Sequence, residues 1–298
     1  MVITKAYSLR LCALVALNLA AIAALLYPRS PVPLPSSDAY LTNPLVALTE
    51  SSPYNLSLER LTWMEVRDQI KRGHSRVIIP TGGIEQNGPF VALNKHDVIG
   101  KRLSIEIATR LGSTLVAPIV SFVPQGSINP PTSHMRFAGT LSVSEETFVR
   151  LLVDIGLSCA AHGFKEIIIL GDSLGSQEGM KRAASTINAS ISNPAARAIF
   201  VESFYDYPAT RALLAARNIP QLPETFHEEL AFTAQLAAID PSAIRYNERL
   251  KAGFTTLGGV AITDLKALQA LGELIISTRA DRATQAIKIL LTDQKNTP

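Results

Sequence analysis

The sequence predicts an α/β domain built on one mainly parallel sheet with helices on both faces. Three observations predict it. Short, wholly apolar runs such as Val77-Ile78-Ile79 and Ile167-Ile168-Ile169-Leu170 read as strands buried on both faces. Stretches with helical apolar spacing separate these runs, so strands and helices alternate. Glycine-rich polar loops follow directly on two of the strands, at Gly82-Gly83-Ile84-Glu85-Gln86-Asn87-Gly88 and at Gly171-Asp172-Ser173-Leu174-Gly175. Loops at strand ends are where open α/β sheets place their chemistry.

The chain has 298 residues, 47% hydrophobic and 18% charged, which suffices for a sizeable core. A net charge of +3 with no dense Lys/Arg block argues against a nucleic-acid partner. Its two cysteines, Cys12 and Cys159, make neither a disulfide framework nor a thiolate metal site. At the N-terminus Lys5 and Arg10 precede an apolar run from Leu11 to Tyr27. Residues 1–27 therefore read as a signal anchor or a signal peptide, with the bulk of the chain membrane-anchored or exported on the non-cytoplasmic side. Residues 28–56, with Pro28, Pro31, Pro33 and Pro35, read as a semi-rigid linker, and residues 57–298 as the folded domain.

Within that domain the spacing predicts a helix over 57–70 with Ser57 as its N-cap, then a strand over 77–80. A helix over 98–111 stops at Gly112, and a strand run follows over 114–123. A long polar loop, 124–139, carries His134. Beyond it come a helix over 144–163, a strand over 166–170, a helix over 178–191 and a strand over 198–201. Helices are expected over 227–238 and over 265–291, the last with a break near Ser277.

Five blocks in order resemble the creatininase (creatinine amidohydrolase) family. Glu85-Gln86-Asn87-Gly88-Pro89 resembles its Glu-Gln-His-Gly-Pro loop, and His134-Met135-Arg136-Phe137-Ala138-Gly139-Thr140 its His-x-x-Phe-Pro-Gly-Thr segment. Gly163-Phe164, the strand and Gly171 resemble its Gly-Phe-strand-Asn-Gly-His block. His227 through Ala234 resembles its His-Ala-Gly-x-x-Glu region, and Gly259-Val260 with Asp264 its Gly-Val-x-Gly-Asp segment. The resemblance implies a three-layer α/β/α sandwich, a homo-oligomer, a small-molecule amide substrate, and a two-metal centre of zinc or manganese that hydrolyses a C–N bond.

The departures from the pattern are specific. Glu85 stands at a metal-ligand position, but Asn87 replaces a ligand His and Phe90 a further His. Eleven residues after Glu85, where the family has a ligand Asp, stands His96, with Asp97 next to it. Ser173 falls on another ligand His, preceded by Asp172, and Phe232 replaces an acid. The resemblance therefore implies a divalent-metal site reduced to one ion or none, drawn from Glu85, His96, Asp97 and Asp172. His227 and His134 are the candidate catalytic groups, and Asn87 and Ser173 the candidate substrate contacts. Asp97 has a second reading, as the N-cap of the helix that begins at Val98. Two alternatives stay open: a catalytically inactive binding protein of the same fold, and a metal-free serine hydrolase in which Ser173 is the nucleophile of a Gly-x-Ser-x-Gly turn.

Overall fold

The computed structural model describes residues 56–223 and 227–293. The predicted membrane segment and most of the linker lie outside the described residues. Among the described residues no helix is long and apolar enough to cross a membrane.

Four parallel strands make the central sheet: β1 (Arg76–Thr81), β2 (Thr114–Val116), β3 (Glu166–Gly171) and β4 (Arg197–Phe200), in the order β2-β1-β3-β4. β1 pairs in full register with β3, from Arg76 opposite Glu166 to Thr81 opposite Gly171. Alternate residues of these apolar runs face opposite ways, which is why every position is buried. Val77, Ile79, Ile167 and Ile169 pack against α3 (Glu145–Ala161) and α4 (Gln177–Ser190) through Phe148, Leu152, Met180 and Ile187. Ile78, Ile168, Leu170 and Ile199 pack the other way, against α2 (Lys95–Leu111) and the long α8 (Leu265–Asp293), through Ile99, Leu103, Ile276 and Ile287. The result is the three-layer α/β/α sandwich expected.

The chain leaves β1 towards β2 on one side and returns to β3 on the other. The order reverses between β1 and β3, and the loops after these two strands open at that switch point, where doubly wound sheets form their ligand crevice. A third apolar cluster lies beside the sandwich. It joins α6 (Leu230–Ile239) and the first half of α8 through Leu230, Ala234, Leu236, Leu268 and Ile275.

Several element boundaries differ from the sequence reading, each for a local reason. The first helix, α1 (Trp63–Lys71), begins after Thr62, not Ser57: Thr62 and Glu65 form a reciprocal capping box, whereas Ser57 makes no side-chain cap. α2 begins at Lys95, so His96 and Asp97 sit in its first turn. The second strand is cut to three residues ahead of Pro118, with only a single further bridge, Thr81 to Val120. α6 starts three residues after His227, which adopts a left-handed φ of 63°. α8 runs unbroken through Ser277. Two further helices, α5 (Tyr207–Ala215) and α7 (Tyr246–Lys251), fill stretches the periodicity leaves unassigned.

Candidate metal centre

The loop after β1 carries the site, and its first turn is locked to α2. Asp97 accepts a hydrogen bond from the Gly83 amide at 2.8 Å. A Cβ on Gly82 would stand 2.9 Å from the Asp97 backbone, so only glycine allows this approach. Asp97 therefore acts on the loop's own backbone: its carboxylate is turned to Gly83 rather than to the other acids, and it does not cap α2, which follows Asn94. Burial raises its pKa, against hydrogen bonds from Ser121 and Gly83.

Asn87 is likewise an internal brace. Fully buried, it donates to the Glu85 carbonyl at 2.9 Å and the Ala92 carbonyl at 3.0 Å. The amide thus closes the loop on itself and points its donors away from any substrate. Ser173 is buried, and its carbonyl accepts from Gln177 at 2.7 Å. No hydrogen bond ties its hydroxyl to a histidine among the described residues.

Glu85, His96 and Asp172 do converge, and they bond directly to one another. His96 Nε2 lies 2.8 Å from Glu85 Oε1 and its Nδ1 3.1 Å from Asp172 Oδ2. Ionised carboxylates only accept, so an imidazole facing two of them needs a proton on both nitrogens. Burial and the neighbouring Lys95 act to lower the His96 pKa, but the bonds to Asp172 and Glu85 outweigh them and raise it. Burial acts to raise Glu85, yet the hydrogen bond and charge of His96, with Lys95 and His134, hold it down to about 2. Asp172 is also held low against its burial, chiefly by the Arg279 charge and by His96.

Three cations therefore stand inside this cluster, of which only His96 was a candidate from the sequence. Arg279, from α8, donates to Asp172 and, at 2.9 Å, to Gln235 Oε1. Lys95 is wholly buried, with Nζ 3.4 Å from the His227 carbonyl and 3.8 Å from Glu229 Oε2. Phe232 supplies the apolar wall: its ring meets His96 edge-on, with Lys95 Nζ 5.0 Å and the Arg279 guanidinium 6.0 Å from its centre. Where the family pattern has an acid, this chain offers an aromatic face to cations.

On the open side of Glu85 lies a different set. His134 Nε2 is 3.6 Å from Glu85 Oε2, and His227 Nδ1 is 3.8 Å from Oε1. The two rings lie 4.7 Å apart between centres. Each of Glu85, His134 and His227 offers one ligand atom within 4.8 Å of the others. Gln86 orients both rings, its carbonyl accepting from His227 Nδ1 at 3.1 Å and its amide lying 3.4 Å from His134 Nδ1. A carbonyl cannot donate, so His227 carries its proton on Nδ1 and keeps the Nε2 lone pair free. Burial and Lys95 push the His227 pKa down, favouring this neutral form. His227, Gln86, Leu93 and Phe137 line a groove of about 530 Å³.

These residues fit one divalent ion. The gap of 3.6 Å between Glu85 Oε2 and His134 Nε2 is too long for a hydrogen bond. It is close to the roughly 3.4 Å ligand separation of a tetrahedral site with bonds near 2.1 Å, and His227 would complete the set through its unprotonated Nε2. His227 also has the outer-shell partner, an N–H donated to a carbonyl, that metal-bound imidazoles usually have. A second ion does not fit. Asn87 and Ser173 cannot replace the missing histidines, and Asp172 is already engaged by Arg279 and His96.

Comparison with known proteins agrees with this architecture. The family model for creatinine amidohydrolase matches residues 59–284. A mycofactocin precursor peptide peptidase of Mycobacterium tuberculosis is 28% identical over 122 residues, 38% of this chain and 46% of that protein. A 3-dehydro-scyllo-inosose hydrolase of Thermotoga maritima is 25% identical over 118 residues, 40% of this chain and 36% of that protein. The chain thus matches less than half the length of these curated relatives. A variant creatininase of known structure superposes with a TM-score of 0.61 at 18% identity, covering 80% of this chain and 99% of that one. Creatininases in manganese and Zn-Zn forms share the fold at a TM-score of 0.58. With the family model spanning residues 59–284, most of the described domain, the chain belongs to the creatininase family.

Proposed function

We propose that this protein is a metal-dependent amidohydrolase that cleaves a C–N bond in a small linear or cyclic amide, using one divalent ion held by Glu85, His134 and His227. The observation that carries this reading is the meeting of two imidazoles and one carboxylate beside a groove of small-molecule size. Zinc or manganese bound there would act as a Lewis acid towards an amide carbonyl and a water.

The chain's own residues supply the rest. Glu85 stays ionised because His96 and the nearby cations stabilise its charge. Gln86 fixes the two imidazoles, and Lys95 ties the His227 carbonyl to the base of the site. Glu229 has one oxygen 4.0 Å from His227 Nε2, and its other oxygen is buried without a hydrogen bond. Ion-paired with Lys95 at 3.8 Å, it is the carboxylate placed to take a proton from an attacking water and pass it to the departing nitrogen. Exposed Phe137 and half-buried Leu93 on the groove wall favour an amide with an apolar substituent.

A second reading, a binding protein without turnover, draws on the resident cations around His96 and Asp172. The two separate cleanly. Purified full-length protein is assayed for zinc and manganese content and for hydrolysis of a panel of cyclic and linear amides. Stoichiometric metal, turnover lost to a chelator and restored by either ion, and loss of both in Glu85→Ala support the hydrolase. Metal-independent behaviour and no turnover across the panel would leave the binding protein.

A further inference from the structure

Arg279 is the feature that the functional reading does not use. It is an arginine, 8% exposed, reaching from α8 into the crevice between the loops after β1 and β3. Every contact it makes there is of a kind that a cation makes. One side of the guanidinium donates to Asp172 Oδ1, and Nη1 donates to Gln235 Oε1 at 2.9 Å. Gln235 Nε2 donates to the Ala231 carbonyl at 3.0 Å, which fixes its oxygen towards the arginine. The ring centres of Phe204 and Phe232 lie 5.4 and 6.0 Å from the guanidinium carbon.

Asp172 itself is completely buried, at the end of β3, and both its oxygens are occupied, by Arg279 and by His96. A buried carboxylate needs a compensating positive charge, and either a metal ion or an arginine can provide it. The arginine cannot leave by losing its proton. A divalent ion could reach Asp172 only by displacing the guanidinium.

We propose that Arg279 is a built-in cation that occupies the place of a second divalent ion, and that removing its charge lets a divalent ion bind Asp172 and His96, displacing to solvent the proton on His96 Nδ1. The inference extends the one-ion reading of Glu85, His134 and His227, but it does not require that site to be filled. It also assigns Arg279 as a positioning residue: through Asp172 it holds His96, and through His96 it holds Glu85.

The test compares full-length wild type with Arg279→Met, Arg279→Lys and the double variant Arg279→Met/Asp172→Asn. Manganese is titrated in and counted by elemental analysis after desalting, with electron paramagnetic resonance on the same samples. Arg279→Met is expected to bind one more manganese per chain than wild type, and the extra ion to vanish in the double variant. Arg279→Lys, which keeps the charge, is expected to stay at the wild-type count. Equal counts for folded Arg279→Met and wild type would overturn the proposal. So would a spin-coupled manganese pair in wild type, a measurement that needs no variant to fold. No ion in wild type but one in Arg279→Met would support this proposal while sinking the one-ion hydrolase.

Discussion

At the scale of single residues, the chemistry turns on which charges are compensated by protein and which are left for a ligand. Asp172 and Arg279 compensate each other in the interior, so removing one should expose the other. Asp172→Ala is expected to cost about 3–5 kcal/mol of folding stability, because it leaves a buried guanidinium unpaired. Denaturant unfolding measures this, and a loss under 1 kcal/mol would mean that water reaches Arg279. Cys159 is the opposite case, a thiol with no partner: burial alone pushes its pKa up to about 11. The thiolate is the reactive form, so a group titrating this high should resist alkylation at pH 8 in the folded protein. Peptide mass spectrometry should find Cys159 labelled only on unfolding or as pH approaches 11; fast labelling at pH 8 would show that α3 opens. Glu85 and His96 were legible because both sit in or just after a glycine-rich loop that follows a strand, and because the family resemblance puts a ligand eleven residues after Glu85. Lys95 and Arg279 were not. On a helix, lysine and arginine read as solvent-facing, and only the tertiary fold shows that a buried acid waits opposite. For the same reason the sequence offered Asp97 and Asn87 as ligand and substrate contact, whereas packing turns both onto the loop backbone.

At the scale of elements, α6 and α8 pack closely enough to bring Gln235 and Arg279 together. Gly272 permits this: a Cβ there would stand 2.0 Å from the Ala234 carbonyl oxygen. In an exposed helix, Gly→Ala gains about 1 kcal/mol from propensity. Here the clash is with backbone, and overpacking costs about 1–3 kcal/mol. Gly272→Ala is therefore expected to be destabilising despite its better propensity, and a raised melting temperature would contradict the close α6–α8 approach. α5 shows a signal that was present but unread. Asp206 caps it by accepting from the Ala209 amide at 2.9 Å, with Pro208 in the first turn. An Asp two residues before a Pro is a start mark even where the apolar period is short. His227 shows the reverse, since helical periodicity extends over it while the backbone turns left-handed, a conformation that held side chains at functional sites often adopt.

At the scale of the whole molecule, the sandwich was readable because strands buried on both faces must be apolar throughout, and β1 and β3 are. The site's position followed from the same pattern, as the two polar loops leave the sheet where its strand order reverses. Which side chains meet there did not follow, because Glu85, His134 and His227 are 49 or more residues apart in sequence and come together only through the fold. An ion that binds only the folded chain stabilises it by about 2.7 kcal/mol at a hundredfold excess over its Kd. For a domain of this size that amounts to a rise of about 5–10 °C in Tm. Wild type should show it with zinc or manganese and His227→Ala should not; an equal rise in both would place the ion elsewhere. The most direct measurement is anomalous diffraction from crystals grown with manganese or zinc. The account predicts one anomalous peak, bonded to Glu85, His134 and His227 at about 2.0–2.2 Å. A peak at Asp172, a pair of peaks, or none at Glu85 would contradict it.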